Sequence, residues 1–230
     1  MFVGSELAGQ RAAIVMSLVQ SAHERARSLG LAARCAAPPA DAAEQSHRGL
    51  AAAPMAARVQ RSAMALLTQA VMVRANIDID RMSAPLKVHL ADEIHAQQPN
   101  LLASILVLPR YGVDMLQLEV PIHVLLVAFQ AMKHCGRAWP TISEDVPETC
   151  LRRLTATMRF TEGMPPDLVE QMITTFCADH PERYLLAFVY GHLGEHGLLR
   201  ARTDAEKYLL LACLNLVECV AYVGAQPHPK

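Results

Sequence analysis

Two long apolar stretches with helical spacing constrain this chain more than anything else in it. Residues 114–135 and 204–223 are dense in Leu, Val and Ala, and nowhere in the 230 residues does period-two alternation persist between turn signals. A sheet needs that alternation to bury one face; a helix buried on most sides needs an apolar run interrupted rarely. The expected fold class is therefore all-α: a compact multi-helix domain of seven or eight helices. Hydrophobic residues make up 52% of the chain and aromatics only 5%, which fits aliphatic helix packing.

Punctuation divides the chain into three. Residues 1–30 carry a helical pattern, with Ser5 as N-cap, Ile14, Val15, Leu18, Val19 and Ala22 on one face, and Gly30 as a stop. Residues 31–60 are Ala-rich and hold Pro38, Pro39 and Pro54. So few large side chains do not repay the entropy of ordering, and the stretch reads as a flexible linker. Residues 61–230 form the helical domain. Within it, helices are expected over 62–76 with Met64, Leu67, Val71 and Ala75 inward, over 85–97, and from Pro99 to before Pro109. A long helix over 114–135, kinked at Pro121, should stop at Gly136. Helices over 145–160 and 166–178 follow, and Pro181 begins another. The last opens with the capping box Thr203-Asp204-Ala205-Glu206.

The formal charge of −1 creates no field that would gather nucleic acid or anionic lipid. Cys35, Cys135, Cys150, Cys177, Cys213 and Cys219 contain no C-x-x-C pair and sit mostly among apolar residues, as buried free thiols do. Residues 12–19 are too short for a membrane span and poorly flanked for a signal peptide, and 208–223 holds Asn215 and Glu218 and reads as a core helix. The expectation is a cytoplasmic protein without a membrane partner.

The segment FVGSELAGQRAAIVMSLVQSA, residues 2–22, resembles the C-terminal segment of transposases of insertion-sequence family sixty-six. Phe2, Gly4, Ser5, Gly9, Arg11, Ala12, Ala13, Ser17, Leu18, Ser21 and Ala22 carry the match. The family pattern continues with a Leu-Asn-Gly turn, whereas this chain continues His23-Glu24-Arg25. The family's catalytic carboxylates lie upstream of this segment. The resemblance implies ancestry in a mobile element, or a gene start placed inside a transposase remnant; it does not imply transposition.

One pentapeptide has the spacing of a metal-dependent hydrolase. In His192-Leu193-Gly194-Glu195-His196, two imidazoles one helical turn apart can approach one zinc ion, with Glu195 as the base that takes a proton from bound water. Gly194 within the motif and Gly197 after it instead suit a helix C-terminus whose histidines meet the negative end of the dipole, with Gly197 as the left-handed residue. That is the favoured reading. A second set, Asp92, Glu93 and His95 with Glu119 and His123, could join the first around two metals, but it lacks the Glu-x-x-His spacing of such bundles. Cys135 beside His134 has no third orienting group, and a helix C-terminus raises a thiol pKa. Arg152, Arg153 and Arg159, with Lys133 and Arg137, make a basic stripe that reads as a solvated face.

The expected function is thus a non-catalytic helical module that works through a protein partner or self-association, with no cofactor. The alternatives are a zinc hydrolase using His192, Glu195 and His196, and a nucleic-acid regulator near a mobile element.

Overall fold

The computed structural model describes residues 66–161 and 164–226. The transposase-like segment, the linker, and Met64 all lie outside the described residues. Among the described residues there are eight α-helices and no strand, so the chain is an all-α domain. They are α1 (Gln69–Arg81), α2 (Ala84–Gln97), α3 (Pro99–Leu106), α4 (Glu119–His134), α5 (Asp145–Thr161), α6 (Pro166–Asp179), α7 (Arg183–Glu195) and α8 (Asp204–Gly224). A short 3-10 turn, Leu108–Tyr111, follows α3.

Local chemistry explains most boundaries. Thr68 caps α1 by accepting from the Val71 N–H, and prolines sit in the first turns of α2, α3 and α6, where an N–H would have no helical partner anyway. Thr203 accepts from the Glu206 N–H at 3.2 Å, as the capping box requires. The Glu206 carboxylate reaches one residue further back than expected and accepts from the Arg202 N–H.

Three expected boundaries move. Among the described residues the first helix spans 69–81, starting at the Thr68 cap and running past the expected end at 76; it buries Met72, Ala75 and Ile79, while Leu67 is buried just before it and Val71 is only half-buried. The long helix begins at Glu119, not Asp114. Residues 114–118 form a turn instead, in which the Asp114 carboxylate accepts from Leu116 N–H at 2.8 Å and the Gln117 side chain accepts from Asp114 N–H at 3.1 Å. Pro121 is consequently the third residue of α4, where its missing N–H costs nothing, and no interior kink arises from it. The helix carrying the histidine pair starts at Arg183, with Glu182 as N-cap, two residues after Pro181.

Helix α4 is the hub, packing against α1, α2, α3, α7 and α8. Its buried residues run from Val120 through Met132 on almost every side, the pattern of a helix at the centre of a bundle. Helix α8 is the second hub, lying against α3, α4, α5 and α7. By length and composition α8 is apolar enough to cross a membrane, but much of it, including Leu209, Cys213, Leu216, Val217 and Val220, is packed inside this domain. Cys150, Cys213 and Cys219 are buried free thiols, as their apolar settings suggested, and burial pushes Cys213 up to about 12. Helix α6 departs from this pattern: it packs chiefly on α7, and Leu168, Ile173 and Phe176 along it are exposed.

Candidate functional site

The end of α7 is a Schellman closure. Leu198 N–H donates to the Leu193 carbonyl at 2.9 Å and Gly197 N–H to that of Gly194 at 3.0 Å, with Gly197 at φ 69°. Leu193 and Leu198 are both buried, clamping the turn. The pentapeptide is therefore a helix C-terminus, as its glycines indicated. This stop also sets the direction of its histidines, because His192 lies on the last turn and His196 on the cap residue itself.

Those two rings meet a third. His123, one turn into α4, stacks on His192 with ring centroids 4.6 Å apart and planes 26° from parallel. His196 stands edge-on to His192 at 4.7 Å, and Phe188 lies parallel to His192 at 6.0 Å, one turn earlier on α7. The group lines an open pocket of about 510 Å³ between α1, α2, α4 and α7, whose wall also includes Asn76, Asp80, Lys87, Glu119 and Glu195. The His192 side chain is only 12% exposed and its Nε2 is buried without a hydrogen-bond partner. Burial first, and then the neighbouring His196, lower its pKa, so it is held neutral. Glu195, by contrast, is 79% exposed and approaches His192 Nδ1 no closer than 3.9 Å.

Of the eight residues in the two candidate metal sets, the fold gathers five: Glu119, His123, His192, Glu195 and His196. Asp92, Glu93 and His95 on α2 do not line the pocket; Glu93 accepts instead from Lys133 Nζ at 2.6 Å and from Gln97 at 3.2 Å. Among the described residues no three donors are set around a common point as ligands of an ion. The two-metal arrangement therefore does not form. Asp80, Lys87 and Phe188 were not singled out in the sequence, since nothing local marks them; only the crossing of α1, α2 and α7 brings them together.

Other sequence candidates disperse. His134 Nε2 lies 2.7 Å from Asp78 on α1, and the Cys135 thiol points at the Leu66 carbonyl at 3.5 Å, its pKa raised mainly by burial. In the basic stripe, Arg152 pairs with Glu148 at 2.9 Å, Lys133 with Glu93, and Arg137 stacks on Trp139 at 5.1 Å. A continuous cationic face is not assembled from these side chains.

A second polar cluster, unmarked in the sequence, sits at the start of α7. The buried Glu182 carboxylate accepts from Leu66 and Leu67 N–H at 3.3 and 3.1 Å. The Glu182 N–H donates to His180 Nδ1 at 3.0 Å, so His180 carries its proton on Nε2, 3.3 Å from Glu218 of α8. These contacts tie three segments together.

The exposed face of α6 is the remaining feature. Leu168, Val169, Met172, Ile173, Phe176 and Cys177 fall as adjacent pairs repeating every four residues, forming one stripe; none of the six is fully buried, although Cys177 at its end packs against the core. The fold and its surfaces thus define an all-α domain with a histidine-lined pocket and an uncovered apolar helix. Compared with known proteins, the chain matches no family model, no curated protein and no solved structure.

Proposed function

We propose that this chain is a non-catalytic helical interaction module that self-associates through α6, in a reducing cytoplasmic setting and with an N-terminal segment inherited from a mobile element. One observation carries the reading. A helix of 14 residues keeps three large apolar side chains exposed along one stripe, Leu168 at 43%, Ile173 at 47% and Phe176 at 36%, whereas exposed apolar residues such as Leu86 and Leu116 elsewhere on the bundle stand on separate elements. Apolar surface left in water on one helix favours burial against a matching surface. A second copy offers the same stripe, and two antiparallel α6 helices related by a two-fold axis would bury both. The near-zero net charge sets no electrostatic barrier to like pairing.

The test is the oligomeric state of the full chain by light scattering coupled to size exclusion. Wild type should exceed monomer mass at tens of micromolar. The double substitution Ile173→Glu and Phe176→Glu should return it to monomer without loss of helical signal. A wild-type chain that stays monomeric at high concentration overturns the reading.

A further inference from the structure

We propose that His123, His192 and His196 bind a single divalent transition-metal ion of the imidazole-preferring class, such as zinc, nickel or cobalt. The proposal is independent of self-association through α6.

The placement of the rings comes first. His192 and His196 are four residues apart at the end of α7, so both reach the same side, and α4 brings His123 against them from across the pocket. Imidazoles bonded to one ion at about 2.0–2.1 Å have ring centres on the order of 5 Å apart. Successive centroids here are 4.6 and 4.7 Å apart. The third ring is thus supplied from upstream in the chain, by α4.

Charge and solvation point the same way. Asp80, Glu119, Glu195 and Lys87 share the pocket lining, a formal charge of −2 while the imidazoles are neutral. A divalent cation answers that charge. His192 Nε2 is buried and makes no hydrogen bond of good geometry, although the Val120 backbone lies close enough to the ring to act on it. Ligation would give that nitrogen a partner.

The rings now lie face to face or edge-on rather than converging, so binding turns them about their side-chain torsions. His196 is exposed and free of packing constraints on its outer side. His123 is half-buried and exchanges its stacked position for a coordinating one. Exposed Glu195 or pocket water completes the sphere.

The full chain is titrated with Co²⁺, read by visible absorption, and with Zn²⁺, read by calorimetry. Wild type should show one equivalent bound at neutral pH, with a visible band of a nitrogen-ligated cobalt. His123→Phe keeps a stacked ring but removes the donor, and His196→Ala alters an exposed side chain; each should weaken binding at least tenfold. His95→Ala, on α2 away from the pocket, should leave it unchanged. Absence of a stoichiometric event in wild type overturns the proposal. So does His123→Phe binding as tightly as wild type, which would reduce the site to a two-residue chelate on α7.

Discussion

The Glu182 carboxylate accepts the Leu67 backbone N–H at 3.1 Å across 115 residues of sequence, fastening the entrance of α1 to the start of α7. The same carboxylate takes the Leu66 N–H, so one side chain satisfies two donors at a buried junction. Glu182→Ala strands both. The expected cost is about 2–3 kcal/mol, read from the urea midpoint, because an unsatisfied buried donor loses its full solvation. A cost under about 0.5 kcal/mol would mean that water reaches the junction.

Glu182 also gives the chain a pH signature. Burial raises its pKa above the ordinary 4.5, against the opposing pull of the two N–H groups. A carboxyl raised in the folded state contributes stability that is complete below 4.5 and is lost as pH climbs through the folded value. Glu182→Gln does not titrate. The stability of that variant relative to wild type should therefore rise between pH 4 and pH 7, as urea melts at stepped pH will show.

His192 has the opposite sign. Its pKa is depressed below 6.5, so its contribution is present above that pH and is lost as pH falls through the folded value. Acidification from pH 7.5 to 5 should destabilise wild type more than His192→Phe, which keeps the stack with His123 and Phe188 but has no proton to gain. Equal pH slopes for the two proteins would contradict the assignment.

Two glycines of the α7 end should respond in opposite directions to alanine. Gly197 holds φ 69° in the Schellman turn, a conformation that a Cβ penalises, so Gly197→Ala should cost about 1 kcal/mol. Gly191 is helical and exposed, and a Cβ there would meet nothing within 4 Å; Gly191→Ala should gain about 0.5–1 kcal/mol. Thermal midpoints of the pair measure the contrast.

Gln98 is buried between α2 and α3, donating to the Pro140 carbonyl at 3.0 Å and accepting from Ile142 N–H at 2.9 Å. It holds the 140–142 strap on the bundle. Gln98→Ala should cost about 2 kcal/mol and speed amide exchange at Ile142 by tenfold or more, whereas Gln98→Glu retains only the acceptor half.

How much of this was legible in advance follows the range of the forces involved. Pro99, Pro166, Thr203, Gly136 and Gly197 mark their helix ends because capping is settled within a few residues. The start of α4 was misread because Asp114 and Gln117 exchange bonds in a turn that continues the apolar pattern without being helix. The i, i+4 spacing of Glu119 with His123, and of His192 with His196, is visible in the residues. That the two pairs share one pocket is not.

The amino-acid order alone determined the all-α class, most helix boundaries and the character of α4 and α8 as core helices, since periodicity and capping act locally. Tertiary packing alone decided that His123 would stack on His192, that Glu182 would hold Leu66 and Leu67, and that α6 would keep its apolar stripe in water. Each of those depends on which helices cross and at what angle. Side-chain volumes summed over the whole bundle set that geometry, and no short stretch of the chain encodes it.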